Sequence, residues 1–190
     1  MRSLSMTEEQ IIEGCKAQKR NAQQALYEKH ARTMYGICLR YSADENAAKD
    51  LLQDGFIKIF SSISSFEGRG SFEGWMKRIF VNLALETIRK NKTTNFKAEH
   101  LENLTEEEIT DTTDADSEGM NAIPMTELLK MVKELPDGYS TIFYLYAVED
   151  YSHKEIAQML NISEGTSRSQ YIRARQALQK MVKEYLKENL

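Results

Sequence analysis

Apolar residues in the first half of the chain recur at the spacing of amphipathic helices. From about Glu8 to Asn95 they return at intervals of three and four residues, the period of a helix that buries one face. The positions with this rhythm are Ala25, Leu26, Met34, Ile37, Cys38, Leu51, Leu52, Phe56, Ile59, Phe60, Ile63, Phe72, Trp75, Met76, Ile79, Phe80, Leu83 and Ile88. They predict four helices packed together.

A second helical rhythm begins at about Met125. It is interrupted at 136–138, where Pro, Asp and Gly follow one another, and it continues to the C-terminus. Its apolar positions are Leu128, Leu129, Val132, Leu135, Ile142, Phe143, Leu178, Met181, Val182 and Leu186. Few stretches alternate strictly between apolar and polar residues, so the pattern favours an all-α protein over a sheet.

An acidic segment separates the two rhythms. Residues 98–127 contain ten acidic residues and no Lys or Arg, and few large apolar residues are present to offset the entropy of ordering the chain. We therefore predict two small helical domains, 8–95 and 125–190, joined by a flexible acidic linker, 96–124. A passive solvated tether is the simplest role for that linker.

The distribution of charge changes the meaning of the net charge of −4. Outside residues 98–127 the chain has 25 basic and 19 acidic residues. Both flanking domains are therefore mildly basic, which is compatible with salt-dependent DNA binding.

Other classes of protein find little support in the composition. Cys15 and Cys38 are too few for a disulfide framework and are not spaced as a zinc site, so we expect buried thiols in a reducing cytosol. No apolar run approaches a membrane span and the N-terminus lacks the pattern of a signal peptide, which predicts a soluble, cytoplasmic protein without membrane insertion. The three histidines are scattered, and the clustered acids lie where no scaffold would hold a metal. We expect no catalytic residue, metal or cofactor.

Residues 151–169 have the pattern of two short helices joined by a tight turn. Ser152 and Glu155 have the spacing of a capping box, Asn161 suits a turn with positive φ, and Ser163 can cap a second helix. That second helix begins with small polar residues and continues through Arg173. The pattern predicts a helix-turn-helix whose second helix enters a DNA major groove. The alternative is an ordinary helical hairpin with solvated polar residues.

The segment 50–60 divides its residues between two helix faces. Asp50, Gln53, Asp54 and Ile57 fall largely outside the apolar stripe, and an exposed face that mixes acids with isoleucine suits a protein partner. The alternative is a set of surface contacts in which Asp50, Asp54 and Lys58 only stabilise the helix.

A glycine-rich loop from Phe66 to Gly74 leads into a helix that contains the only tryptophan, Trp75. The nearby cations are Arg69, Lys77, Arg78, Arg89, Lys90 and Lys92. Aromatic rings interleaved with cations suit single-stranded DNA, because bases stack on the rings while cations follow the backbone. The alternative is that these aromatic residues are core, which we expect of Phe72 and Ile79.

Taken in the order in which they occur along the chain, the motifs resemble regions 2 and 4 of the sigma-70 family, in its small extracytoplasmic-function (ECF) group. Residues 50–60 resemble the family's helix that binds core RNA polymerase. Residues 66–82 resemble the part that melts and reads the −10 promoter element, and residues 135–175 the part that reads the −35 element. The resemblance implies a non-catalytic specificity subunit that binds RNA polymerase core and promoter DNA.

The resemblance also implies roles for individual residues. Core-polymerase binding is expected of Asp50, Gln53, Asp54 and Ile57. Contacts at the −10 element are expected of Phe66, Arg69, Ser71, Trp75, Lys77, Arg78 and Asn82. Contacts at the −35 element are expected of Ser163, Glu164, Thr166, Ser167, Arg168, Ser169 and Arg173. Among the last group, Arg168 is expected to read a base edge, and Ser163, Thr166, Ser169 and Arg173 to hold phosphates.

The chain departs from the family's pattern at three positions. Gly55 stands where a larger apolar residue is usual, and glycine inside a helix costs about 1 kcal/mol relative to alanine, so we expect a softened polymerase-binding helix. Ser167 stands where valine is common, and Gln170 where arginine is common. Both bear on the choice of promoter sequence.

Two further interpretations stay open. One is a two-domain transcriptional regulator that binds DNA through the same helix-turn-helix without replacing a sigma subunit. The other concerns the linker, which in a sigma factor could mimic nucleic acid inside the polymerase channel. The family often has an inhibitory anti-sigma factor, although no residue here specifies one.

Overall fold

The computed structural model describes residues 6–91 and 123–189, apart from the side chains of Asn91 and Asp137, and these residues form only helices and turns. The predicted all-α fold is thereby confirmed. The chain divides into two compact units, Met1–Thr93 and Thr94–Leu190. The predicted linker, 96–124, lies outside the described residues except at its last two positions, and the predicted domain boundaries stay predictions.

The first unit is a bundle of four α-helices, as the apolar rhythm predicts. Helix α1 spans Glu8–Lys16, α2 Arg20–Tyr41, α3 Glu45–Ser62 and α4 Phe72–Asn91, with a 3₁₀ turn at Ile63–Ser65. Helix α2 packs against each of the other three. Its fully buried side chains meet those of α3 and α4 in the centre of the bundle: Leu26, Met34, Ile37, Ile59, Met76, Phe80 and Leu85.

Gly55 lies where α3 packs directly against α4. An alanine Cβ at this position would overlap the ring of Phe80, which is fully buried and packs edge-on against Phe56 at a centroid distance of 5.6 Å. Gly55 therefore has a packing role beside its expected softening of the helix, because the Phe80 ring occupies the space that a side chain at this position would need. The softening itself stays a prediction.

The described part of the second unit, residues 123–189, contains four α-helices and one π-helical turn. Helix α5 spans Met125–Glu134, α6 Asp137–Phe143, the π-helical turn Tyr144–Val148, α7 His153–Leu160 and α8 Glu164–Asn189. The break predicted at residues 136–138 is confined to Leu135 and Pro136, which separate α5 from α6, whereas Asp137 and Gly138 already belong to α6. Helix α8 is the long axis of this unit, because α5, α6 and α7 all pack against it.

The two cysteines of the first unit are both buried and free. Burial raises the pKa of the Cys38 thiol to about 12 and also raises the pKa of Cys15, so both thiols stay protonated near neutral pH. Among the helices that the structure describes, none combines the length and the apolar character needed to cross a membrane.

We predict that replacing Gly55 with alanine destabilises the first unit. The added Cβ forces the buried Phe80 ring to move, which lowers the free energy of unfolding by about 1–3 kcal/mol. Trp75, the only tryptophan, lies in this unit, so its fluorescence during chemical denaturation reports the loss. The matched control is Gly36→Ala in α2, where the nearest atom is the end of the Arg40 side chain at 3.9 Å. An equal effect of both substitutions would contradict the steric explanation.

We also predict that acid weakens the first unit through His30. Burial, followed by the neighbouring Lys29, lowers the pKa of His30 below its usual 6.5, although Glu73 and Glu8 oppose the shift. The folded state therefore binds this proton less readily than the unfolded state. The contribution of His30 to the free energy of unfolding is fully present above pH 6.5 and is lost as the pH falls below that value.

The measurement is the free energy of unfolding of the first unit, followed through Trp75 fluorescence between about pH 7.5 and about pH 5.5. We expect a decrease in the native chain and a flatter profile in His30→Leu. A hydrogen bond from Lys77 lowers the pKa of Glu73 below its usual 4.5, so this carboxylate titrates outside the window. An unchanged slope in the variant would show that His30 is not the group responsible.

Candidate nucleic-acid interface

The predicted helix-turn-helix is formed by α7, a short turn and the start of α8. The Ser152 hydroxyl accepts a hydrogen bond from the Glu155 amide, and the Glu155 carboxylate accepts one from the Ser152 amide, which completes the predicted capping box. Asn161 ends α7 in the left-handed conformation at φ 55°, and its amide donates to the Ala157 carbonyl. Ser163 then caps α8 by accepting from the Thr166 amide at 2.9 Å. Each local signal is confirmed.

Helix α8 presents a polar face at its start. Ser163, Glu164 and Arg168 are exposed, and the Arg168 guanidinium pairs with the Glu164 carboxylate one turn earlier. The Ser169 hydroxyl, which is half-buried, donates to the Thr166 carbonyl. The hydroxyl groups that are predicted to hold phosphates therefore already make hydrogen bonds within α8 or at its N-cap. The half-buried Arg173 lies farther along α8.

Ser167 differs from its neighbours because it is completely buried. Its Oγ lies 2.9 Å from Nδ1 of His153, the first residue of α7. We therefore revise the role expected for Ser167, from a contact with DNA to a contact between α7 and α8. A side chain with no exposed surface does not touch a ligand that binds outside the helix.

Three aromatic rings form a cluster at the start of α4. Trp75 stacks on Phe72 at a centroid distance of 5.6 Å and an angle of 17°, and Phe66 lies 5.5 Å from Trp75. Phe66 and Phe72 are buried, as expected for Phe72, whereas Trp75 and Ile79 are half-buried. Trp75 is thus the member of this cluster that combines packing with accessible surface.

The loop that precedes this cluster bends at two glycines. Gly68 and Gly70 have φ of 76° and 84°, a conformation that side chains rarely adopt, and between them Arg69 pairs with Glu67 at 3.0 Å. The Ser71 hydroxyl accepts a hydrogen bond from the Gly74 amide and so caps α4. Ser71, which is predicted to contact DNA, therefore also has a structural role as the cap of α4.

Trp75 shares one face of α4 with two other predicted residues. Arg78 and Asn82, three and seven positions later, are both exposed and lie on the same side of the helix. Lys77 points away from that face and pairs with Glu73 at 3.0 Å. The structure therefore brings Trp75, Arg78 and Asn82 together and separates Lys77 from them.

A cleft of about 630 Å³ lies between α1 and the glycine-rich loop. Phe66 and Phe72 line it together with four carboxylate residues, Glu8, Glu9, Glu13 and Glu67, and one cation, Lys16. The carboxylates repel phosphate. A nucleic-acid backbone is therefore better placed along the side of α4 that carries Arg78 than in this cleft.

The outer face of α3 matches the predicted division of residues. Asp50, Gln53 and Asp54 are exposed, and Ile57 retains 58% of its surface although it is a large apolar residue. Within the described part of the chain, no ion pair involves Asp50, Asp54 or Lys58, so the alternative of mutual surface contacts gains no support. Tyr27 of α2 is also exposed and lies 4.7 Å from the Phe56 ring.

Sequence reasoning missed the ring cluster around His153. Tyr146 and Tyr171, which contact this ring, lie 7 and 18 positions away in the chain, and no local pattern links residues at those distances. The described residues also contain no group of three or more metal-ligating side chains.

Comparisons with known proteins give one consistent result. Residues 26–94 match the family model described as sigma-70 region 2, and residues 125–178 match the one described as sigma-70 region 4. The chain is 29% identical over 158 residues to the ECF RNA polymerase sigma factor SigW of Bacillus subtilis, a match that covers 80% of this chain and 83% of the relative. It is 26% identical over 182 residues to the ECF RNA polymerase sigma-E factor of Haemophilus influenzae, with 93% and 96% covered.

A solved structure has a similar fold. The sigma factor RpoE of Bartonella quintana, crystallised in complex with the anti-sigma factor NepR, aligns with a TM-score of 0.54 and 19% identity. The alignment covers 84% of this chain and 96% of that one.

Proposed function

The chain belongs to the sigma-70 family, in its ECF group of alternative sigma factors for transcription initiation, and on this premise we propose that it binds core RNA polymerase and directs it to promoters by recognising −35 and −10 elements. One observation carries the proposal above all others. The region 2 and region 4 matches fall in different compact units, in the chain order that the family has.

We assign polymerase binding to the outer face of α3. Asp50, Gln53 and Asp54 supply exposed acceptors, and Ile57 supplies an apolar surface that a partner would bury. The partner we propose is the clamp coiled coil of the largest catalytic subunit, and a surface of basic and apolar residues would be complementary to this face. Exposure of a large apolar side chain among carboxylates supports this assignment.

We assign −10 recognition and melting to the glycine-rich loop and the adjoining face of α4. Extrusion of a base costs a few kcal/mol, and stacking on an aromatic ring returns part of that cost. Trp75 is the accessible ring, Arg69 and Arg78 offer charge to phosphates, and Asn82 offers an amide on the same face as Arg78.

We assign −35 recognition to the start of α8. Arg168 is the best candidate for a base edge because arginine bidentate to guanine is the commonest specific contact. Arg173, Ser163, Thr166 and Ser169 would hold phosphates and set the register. The domains that would perform these tasks span residues 8–95 and 125–190.

An anti-sigma factor is a further partner that we propose from family membership. The structural neighbour from Bartonella quintana is bound to such an inhibitor. The linker, 96–124, would let the two domains engage separate promoter elements.

The direct test is transcription by sigma-free core polymerase supplemented with the purified chain and genomic fragments. We expect specific initiation that depends on the chain, with Asp54→Arg reducing affinity for the core enzyme by about tenfold or more, because the reversed charge opposes a basic partner. Glu9→Arg on α1 is the matched control with the same change in charge. Stoichiometric co-purification of Asp54→Arg with core enzyme would contradict the α3 assignment. Strong DNA binding by the chain alone at physiological salt, without initiation, would favour the two-domain regulator.

We predict that Trp75→Ala impairs promoter melting more than promoter binding. Open-complex formation, followed by permanganate reactivity of unpaired thymines, should fall by about tenfold, since base–aromatic stacking contributes about 1–3 kcal/mol per base. Closed-complex affinity should change little. Circular dichroism establishes whether the helices of the variant are intact, and an equal loss in both complexes would refute the assignment of Trp75.

We predict that two arginines of α8 differ in their effects. Arg168→Ala should relax the choice of −35 sequence, because a bidentate contact contributes about 1–3 kcal/mol of discrimination between bases. Arg173→Ala should weaken all sequences alike and reduce the dependence of binding on salt. Binding of the reconstituted holoenzyme to a set of −35 variants at several salt concentrations separates the two. The reverse outcome would exchange the two roles.

A further inference from the structure

His153 joins three elements of the second unit. Its ring stacks on Tyr146 of the π-helical turn at a centroid distance of 4.2 Å and an angle of 11°. It also meets Tyr171 of α8 at 5.8 Å and 60°, and its Nδ1 bonds to Ser167 of α8. The ring centroids of Tyr146 and Tyr171 are 4.5 Å apart. The Tyr146 ring and the side chains of α8 therefore fix the orientation of the imidazole between them.

The hydrogen bond to Ser167 constrains α8 because the hydroxyl is completely buried. A buried hydroxyl without a partner is costly, so α8 is held in the orientation that brings Ser167 to the imidazole. An apolar residue at this position would lack this directional constraint. A hydrogen bond is directional and favours one orientation.

The orientation of Ser167 determines which side chains of α8 face outward. Successive residues of an α-helix are separated by about 100° around its axis. With Ser167 turned toward α7, Arg168 and its partner Glu164 lie exposed on the outer surface. A rotation of α8 that released Ser167 would also move Arg168 away from its present direction.

We propose that His153 is a positioning residue for DNA reading: by bonding Ser167 it sets the rotation of α8 and hence the side chains that face the major groove. This inference rests on the proposed −35 reader and deepens it. His153 itself need not touch DNA, since its effect passes through Ser167 to Arg168.

The charges around the ring agree with a neutral imidazole. Burial lowers the pKa of His153 below 6.5, the Arg168 guanidinium on α8 lowers it further, and Glu164 opposes the shift. The other side chains that contact the ring are those of Tyr146, Tyr171 and Ser167. Near neutral pH the ring therefore has one protonated nitrogen, and its tautomer depends on whether Ser167 donates to Nδ1 or accepts from it.

The first test measures the bond without DNA. In the full chain, ¹⁵N NMR of the imidazoles gives the tautomer and the pKa of His153. We expect Ser167→Ala to change both, whereas Ser169→Ala, which removes a hydroxyl that bonds within α8, leaves them unchanged. Identical His153 signals in the native chain and in Ser167→Ala would overturn the proposal.

The second test separates the hydrogen bond from the ring. His153→Asn keeps a hydrogen-bonding atom close to the position of Nδ1 but loses the stack, whereas His153→Phe keeps the stack and loses the bond. Holoenzymes with each variant transcribe a template pool with randomised −35 positions. We expect His153→Phe to reduce discrimination among −35 sequences by about tenfold and His153→Asn to stay within about twofold of the native protein. Equal discrimination by the two variants would overturn the proposal.

A double variant distinguishes positioning from stability. Replacing His153 with Phe and Ser167 with Val removes both polar partners and should restore the thermal stability that His153→Phe loses. We expect discrimination among −35 sequences to remain reduced, and its full recovery would show that His153 acts through stability alone. If the native chain initiates on no template, the proposed function fails, while the NMR result still decides whether the bond exists.

Discussion

Both units depend on helices that bury one face completely and leave the opposite face polar. Helix α3 illustrates the constraint, because Gly55, Phe56 and Ile59 are buried while Gln53 and Asp54 are exposed, and Ile57 is the apolar exception on its outer face. Units of this size bury modest cores, so each contact between helices matters more than it would in a larger domain. The approach of α3 to α4 at Gly55 therefore also fixes the direction in which the outer face of α3 points.

Local signals were sufficient to predict most of the helices. The capping box at Ser152, the left-handed Asn161 and the break at Pro136 each act within a few residues, and their physical effects are readable from the sequence. The packing role of Gly55 could not be predicted, because it depends on Phe80, which lies on another helix. The burial of Ser167 escaped prediction for the same reason, since its partner His153 lies on α7. Tertiary contacts of this kind leave no periodic trace in a sequence.

The same side chains serve the fold and the site at the start of α4 and α8. Ser71 and Ser163 cap these helices, and Phe66 and Phe72 fill the base of the aromatic cluster on which Trp75 stacks. Such residues hold the exposed ones in place. A site built in this way has few side chains available for contact, but their positions are well defined.

Acidic partners accompany three of the cations that the sequence predicts to contact DNA. Arg69 pairs with Glu67, Lys77 with Glu73 and Arg168 with Glu164, each within four positions along the chain. Exposed pairs of this kind contribute only about 0–1 kcal/mol each, so phosphates or base edges can replace the carboxylates at low cost. The carboxylates nonetheless stay nearby and oppose the approach of an unspecific polyanion. Binding then requires either a DNA sequence whose contacts offset the loss of these ion pairs or a second binding site. Core polymerase would supply that second site by holding both units on the same promoter.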